Sequence, residues 1–120
     1  MERIINLTQH VATADQKKAG VFEPIYKKTV QSSLTFETIP SVGEMEGIAE
    51  FLADIAHQEN ADSAMIGGAP FFMSALERAL AGVNITPVYA FSVRESVETV
   101  SDDGTVTKIN VFKHVGFVEV

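Results

Sequence analysis

The sequence contains no cysteine and no apolar run that is long enough to cross a membrane. Without cysteine, disulfides, thiol nucleophiles and cysteine-based zinc sites are excluded, and the composition is typical of a reducing compartment. The longest apolar runs, such as residues 63–73, fall well short of the roughly 20 residues that a transmembrane helix needs. The first ten residues become polar too early for a signal peptide. We therefore expect a cytoplasmic protein that does not span a membrane.

The motifs of several common enzyme classes are also missing. The chain has no GxxxxGK[ST] phosphate loop, no GxGxxG fingerprint, no GxSxG elbow, no HExxH and no DxD motif. Its three histidines, His10, His57 and His114, lack the spacing of metal ligands. The sequence therefore predicts no metal and no cofactor, and we expect any catalysis to be metal-independent.

Positive charge is scarce, because 9 Lys and Arg residues stand against 16 Asp and Glu residues, which gives a formal net charge of -7. A surface that follows a nucleic-acid backbone needs many Lys and Arg side chains on one side, so a long nucleic acid is not expected as a partner. A small anionic ligand is still compatible with this charge, because screening limits the reach of distant charges to about 10 Å.

Strand patterns alternate with helix patterns along the 120 residues, which is the length of one domain. Short apolar runs at residues 3–8 and 63–68 predict buried strands, and long strand patterns at 86–100 and 105–120 predict a hairpin. Strands that alternate with helices form parallel sheets, whereas the two strands of a hairpin are antiparallel. We predict one α/β domain over residues 1–120, with a mixed sheet, flanking helices and a C-terminal antiparallel β-hairpin.

Capping signals and apolar spacing predict three helices. Thr13 is expected to N-cap a short first helix, and Ser41 is expected to N-cap a longer one over residues 43–60. Pro70 opens a third helix over residues 70–84, because proline favours the first helical turn.

Residues 21–41 carry the weakest pattern in the chain. The stretches 21–28 and 34–40 each match a short strand. Pro24 argues against a central strand in the first of them, because proline cannot donate to the hydrogen-bond ladder.

The turn between the two long strands determines which side chains share a face. A three-residue loop ending at Gly104 places Glu98 opposite Lys108, whereas a two-residue loop places polar side chains opposite apolar ones. We predict the first register, because it pairs polar with polar residues. It also leaves an apolar, half-buried face on the hairpin, formed by Phe91, Val93 and Val97. Its other face gathers polar side chains: Ser92, Arg94, Ser96, Asn110 and His114.

Two loops follow buried strands at the edge where open α/β sheets place ligands. The first follows the end of its strand with a dense group of hydrogen-bonding side chains, Asn6, Thr8, Gln9 and His10, and the second contains Gly67 and Gly68 just before the helix at Pro70. Glycine lets the backbone approach a ligand closely, and a helix N-terminus attracts anions. Histidine can transfer protons near neutral pH. Both loops can also be read as ordinary turns, with glycine present for its conformation alone.

Arg94 is the candidate phosphate ligand of the hairpin. Its guanidinium has a geometry that suits phosphate, and Ser92 and Ser96 are its expected neighbours. The alternative for Arg94 is a surface ion pair with Glu95 or Glu98. For His114 the alternative is a packing role beside its strand neighbours.

The C-terminal third resembles a small family of CRISPR-ancillary ring nucleases. The resemblance lies in "PVY", Ser92, Arg94, "SVE" and "DG", followed by a last group of residues, Phe112, His114, Val115 and Phe117. A weaker similarity lies in "LTQHVATADQ", and the chain also resembles uncharacterised phage and prophage proteins that begin "INLTQH". The resemblance implies a Rossmann-like fold related to the CARF domain.

The resemblance also implies a function. Ring nucleases bind a cyclic oligoadenylate across the two-fold axis of a homodimer and cleave it without metal, by attack of a ribose 2′-hydroxyl on the adjacent phosphate. Arg94 would then supply positive charge, and Ser92 with the Gly67–Gly68 backbone would donate hydrogen bonds. His10 would assist proton transfer, with His114 as the second candidate.

Two other functions fit the same residues. A phage-encoded sponge would sequester a cyclic nucleotide through the arginine and the glycine turn without a working histidine. A protein-interaction module would pair its hairpin with another chain, and its sign would be an exposed apolar patch on the hairpin.

Overall fold

Five strands form one mixed sheet in the computed structural model, which describes residues 2–120. Strands β1 to β4 are parallel to one another, and β5 runs antiparallel to β4. This arrangement confirms the predicted mixed α/β sheet with a C-terminal hairpin. The order across the sheet is β2-β1-β3-β4-β5, and the strand bounds are Ile4–Leu7, Val21–Phe22, Ser63–Ile66, Thr86–Val100 and Val106–Glu119.

Four helices connect the strands within residues 2–120, and a capping side chain or a proline marks the start of three of them. Thr13 caps α1 in a reciprocal capping box with Gln16. The Ser41 hydroxyl accepts a hydrogen bond from the Glu44 backbone N–H at the start of α3, and Pro70 opens α4. These three helix starts confirm the sequence-based predictions. No helix within residues 2–120 is both long and apolar enough to cross a membrane. The helix bounds are Ala14–Lys18 for α1, Lys27–Ser33 for α2, Val42–Gln58 for α3 and Pro70–Gly82 for α4.

Residues 21–41 differ from the prediction. The first stretch forms only the two-residue edge strand β2 before Pro24, and the second stretch, 34–40, forms no strand. Helix α2 lies between them, where no element was predicted, and of the two possible strands only the first forms, in part. Val30 and Leu34, one helical turn apart, are buried in the core. Their burial stabilises a helix that two apolar positions among polar residues do not reveal in the sequence.

Two apolar clusters lie on opposite faces of the sheet. Alternate strand residues such as Ile5, Leu7 and Ile66 pack against helices α2, α3 and α4. The other face carries Ile4 and Met65 with Ala12, Val21, Val88 and Phe117. The alternation follows from strand geometry, in which successive side chains point to opposite faces.

The predicted register of the hairpin is confirmed. Glu98 lies opposite Lys108, and Ser92 lies opposite His114. The Ser101 backbone N–H donates to the Thr105 carbonyl over 2.9 Å, and Gly104 has a φ of 84° at the end of the three-residue loop. We call residues 91–116 the arm.

The arm projects beyond the rest of the sheet. Strand β3 pairs with β4 only as far as Val88, so beyond that point β5 is the sole neighbour of β4 among residues 2–120. The Cα radius of gyration is 17.1 Å, whereas a compact chain of this length would have about 14 Å. Phe91, Val93 and Val97 are 50%, 37% and 39% exposed. These side chains are half-buried, as expected, although no helix among residues 2–120 covers them.

Candidate functional site

After two neighbouring parallel strands at the centre of the sheet, the chain crosses to opposite sides of the sheet. Strand β1 leads to β2 on one side, and β3 leads to β4 on the other. The carboxyl ends of two such strands leave a crevice between their loops, where open α/β sheets bind ligands. The loop after Leu7 and the loop after Ile66 border this crevice.

A cavity of about 390 Å³ lies in the crevice, and we call it the switch-point pocket. The fold brings together both loops that the sequence analysis singled out separately: Thr8, Gln9 and His10 come from the first, and Gly67 and Gly68 come from the second. The other lining residues are Val11, Thr13, Gln16, Met65, Ile66, Tyr89 and Ala90.

The side chain of Asn6 fixes the first loop through hydrogen bonds. This side chain is fully buried in β1. Its Oδ1 accepts from the Thr8 backbone N–H over 3.0 Å and from the Thr8 hydroxyl over 2.7 Å. Its Nδ2 donates to the His10 carbonyl over 2.8 Å and to Glu23 Oε1 over 2.9 Å. A buried amide with every bond satisfied determines one loop conformation.

Lys27 and Glu23 complete this support. Lys27 Nζ donates to the carbonyls of Thr8 and His10, over 2.8 and 3.0 Å, and pairs with Glu23 Oε1 over 3.1 Å. Partial burial alone would raise the pKa of Glu23. The hydrogen bonds from the Ala12 backbone, Asn6 and Lys27, with the charge of Lys27, outweigh burial and lower the pKa of Glu23 below its usual range. The carboxylate therefore stays ionised near neutral pH.

The network of Asn6, Glu23 and Lys27 was not predicted from the sequence. One signal was visible, since an amide inside the apolar run of β1 needs partners when it is buried. The partners themselves were hidden, because they lie 17 and 21 positions away in the least readable part of the chain.

The second loop exposes a backbone donor. Gly68 has a φ of 146°, a conformation that side chains rarely adopt. A Cβ on Gly67 would lie 3.6 Å from Thr8 Cγ2, which is ordinary contact. The Gly68 N–H makes no hydrogen bond with residues 2–120. This free donor lies next to the N-terminus of α4, where the helix dipole favours negative charge.

The pocket is neutral in an acidic protein. Its lining within residues 2–120 contains no Asp, Glu, Lys or Arg. The Tyr89 hydroxyl donates to Glu77 Oε2 over 2.6 Å. Burial, and then Glu77, raise the pKa of Tyr89 to about 12. Tyr89 therefore presents a neutral ring and no proton acceptor, which leaves His10 as the lining side chain of a type that exchanges protons near neutral pH.

The remaining candidates lie outside the pocket, on the arm. Ala90 lines the pocket, and Ser92 and Arg94 follow it on the same strand face, about 7 and 13 Å farther along at 3.3 Å per residue. This polar arm face thus begins at the pocket wall. It consists of Ser92, Arg94, Ser96, Asn110, Phe112 and His114.

Arg94 is free of the ion pairs that were its alternative. Glu98 pairs with Lys108 over 3.6 Å, and Glu95 pairs with Lys113 over 4.0 Å. The Arg94 guanidinium instead lies 5.5 Å from the ring centre of Phe112, in a cation–π contact. Its charge is therefore not neutralised by a carboxylate of residues 2–120.

The other polar arm residues differ in how they are engaged. The Ser96 hydroxyl donates to Asn110 Oδ1 over 3.1 Å. His114 packs edge-on against Phe117 at 5.0 Å between ring centres. Its Nδ1 is buried and has no hydrogen-bond partner within residues 2–120. The contact with Phe117 agrees with a packing role for His114, although the buried Nδ1 of its ring lacks a hydrogen-bond partner within residues 2–120.

Nearly the whole chain is similar to one protein family. A family model matches residues 2–118. The chain belongs to the uncharacterized protein MJ1673 family. No curated protein and no solved structure matches it. The matched residues include both pocket loops and the arm, so both features lie within the part of the chain that defines the family.

Side chains that could bind a metal ion are scattered over the fold. Among residues 2–120, no group of three or more His, Asp or Glu side chains lies close enough together to hold a metal ion.

Proposed function

We propose that the switch-point pocket binds a phosphate-bearing nucleotide, and that this ligand is a cyclic oligoadenylate. The observation that carries the proposal is the convergence of the Gly67–Gly68 backbone, with its free Gly68 N–H, and the polar loop at Thr8 in one uncharged pocket. Such a donor at a helix N-terminus suits a phosphate, and the lack of acidic lining residues avoids repulsion. The cysteine-free composition supports a cytoplasmic site of action.

The size of the pocket sets how much of the ligand it holds. A volume of about 390 Å³ is at the lower end of the roughly 300–1,000 Å³ of ligand pockets. It suits one nucleotide unit, and the rest of a ring would lie over the polar arm face. There Arg94 offers a charge and Phe112, 72% exposed, offers a ring on which a base can stack.

Cleavage would follow from this placement. The ribose 2′-oxygen forms a bond to the adjacent phosphorus, the bond from phosphorus to the 5′-oxygen breaks, and a 2′,3′-cyclic phosphate remains. His10 would accept the 2′-proton, and the 5′-oxygen would take up a proton on leaving. The Gly67–Gly68 backbone would stabilise charge on the phosphorane, and Arg94, farther along the arm, would hold a phosphate of the rest of the ring.

One observation favours the non-catalytic sponge as a second candidate. The His10 imidazole is exposed and makes no hydrogen bond with residues 2–120. Catalytic bases are usually oriented by a third group, and none of the described residues orients this one. Binding without cleavage would need the same arginine and glycine turn.

The test is a thermal-shift screen with cyclic oligoadenylates and cyclic dinucleotides, followed by chromatography of each mixture. A ligand that binds only the folded state raises the melting temperature. A shift with new linear products supports cleavage, and a shift without products supports the sponge. No shift with any of these ligands at saturating concentration would overturn the nucleotide proposal.

A further inference from the structure

The second face of the arm is apolar and unpartnered. Val93, Val97, Ile109 and Val111 alternate with the polar arm residues and therefore share one side of the hairpin. Phe91 continues this side toward the body of the protein. We call these five residues the apolar arm face. They are 37–50% exposed, and no other element among residues 2–120 covers them.

Such a face is unusual on a free hairpin. A two-stranded hairpin is at best marginally stable in water unless a further layer packs on it. From the exposed fractions of its five residues, the apolar arm face presents about 400 Å² to solvent, which is the size of the largest apolar patch on a typical monomer, and such patches are often functional.

Charge on the arm favours another copy of the same chain as the occupant. Residues 91–116 carry three basic and four acidic side chains, so only -1 of the formal net charge of -7 lies on the arm. The apolar arm face has one acid and one base at its middle, Glu95 and Lys113, which lie 4.0 Å apart. Two identical faces related by a two-fold axis can place the Glu95 of each copy against the Lys113 of the other.

We propose that two copies of this chain form a homodimer by packing their apolar arm faces together. The two faces would bury about 800 Å² of apolar surface, and with a polar rim this reaches the lower end of stable interfaces at about 1,200 Å². The polar arm face and the switch-point pocket stay open to solvent. The proposal is independent of what the pocket binds.

The first test compares two variants that add the same charge at neighbouring positions on opposite faces. Val97→Lys puts an ammonium group into the apolar arm face, and Ser96→Lys puts it on the polar arm face. Sedimentation equilibrium of the full chain is expected to show a wild-type dimer at micromolar concentrations. Val97→Lys is expected to weaken the dimer at least about tenfold, and Ser96→Lys less than about threefold. Circular dichroism checks that both variants are folded.

A second test uses the charged pair. Glu95→Lys and Lys113→Glu each leave two like charges on the face, so each variant alone is expected to be monomeric. Mixed in equal amounts, the two are expected to form a heterodimer, because the faces then complement each other. A wild-type protein that stays monomeric up to about 100 μM, where weak dimers are populated, would overturn the proposal. Equal dimerisation of Val97→Lys and wild type would do so as well, as would a purified different protein bound to this face of a monomer.

Discussion

The support of the pocket loop by Asn6 leads to a sharp expectation for Asn6→Asp. The change keeps the shape of the side chain and the two bonds accepted from Thr8. It removes the amide that donates to the His10 carbonyl and to Glu23. It also places a second carboxylate where Nδ2 now lies, 2.9 Å from Glu23 Oε1.

The size of the effect follows from these contacts. The lost bond to the His10 carbonyl contributes about 1 kcal/mol, and the lost bond to the ionised Glu23 contributes about 1.5–3 kcal/mol. Repulsion between the carboxylates adds further cost until one of them takes up a proton, so we expect the free energy of unfolding to fall by about 4 kcal/mol at pH 7.

The pH dependence has a defined sign. In the variant, repulsion between the new carboxyl and Glu23 raises the pKa of one of the two above its unfolded value. The folded variant therefore binds a proton that the unfolded variant releases near pH 4. The penalty relative to wild type is largest at neutral pH and shrinks as the pH falls toward about 4, because one carboxyl is then protonated. We expect about half of the lost free energy of unfolding to be recovered at about pH 4.

Denaturant titrations at several pH values measure this penalty. Asn110→Asp is the matched control, because its Oδ1 only accepts from the Ser96 hydroxyl on the exposed arm. That control is expected to change the free energy of unfolding by less than about 0.5 kcal/mol. A loss below about 1 kcal/mol for Asn6→Asp, or a loss that does not depend on pH, would refute the role of Asn6 in the network.

Three further outcomes are expected. Arg94→Ala should abolish binding or turnover of the nucleotide in the thermal-shift and chromatography assays without unfolding the protein. The control variant Arg78→Ala, on the surface of α4, should bind the nucleotide normally, and equal behaviour of the two variants would remove Arg94 from the site. Gly67→Leu should weaken nucleotide binding at least about tenfold, because the larger side chain fills the pocket. Gly67→Ala should fold normally, because its Cβ meets only Thr8 Cγ2 at 3.6 Å. If Gly67→Leu binds the nucleotide as well as the wild type does, the placement of the ligand is contradicted. The raised pKa of Tyr89, about 12 against 10 in the unfolded chain, should stabilise the wild type fully below pH 10 and less as the pH rises through 12, and alkaline titration of Tyr89→Phe should lack this loss.

Much of the secondary structure could be predicted from the sequence. The starts of α1 and α3 follow from Thr13 and Ser41, whose side chains bond to backbone groups three positions away. The hairpin register follows from the pairing of polar with polar residues across the strands. Both signals act between residues that are close in sequence or joined by a short turn, so they are visible without the fold.

The candidate site could be predicted only in part. Two loops were recognised at the carboxyl ends of their strands, because the strand-to-loop boundary is a local feature. That they line one pocket depends on β1 and β3 being neighbours in the sheet. The support by Glu23 and Lys27 also depends on the path of the chain, since both lie beyond α1 and reach back to the first loop.

By itself, the sequence determined the α/β alternation, the helix starts and the two faces of the hairpin. Only the tertiary structure decided that α2 forms, that the polar arm face starts at the wall of the pocket, and that the apolar arm face is uncovered. The physical reason is the distance along the chain over which each interaction acts. Periodicity and capping are short-range properties, whereas burial depends on where neighbouring elements end, and here β3 stops pairing with β4 at Val88 while the hairpin continues to Val100.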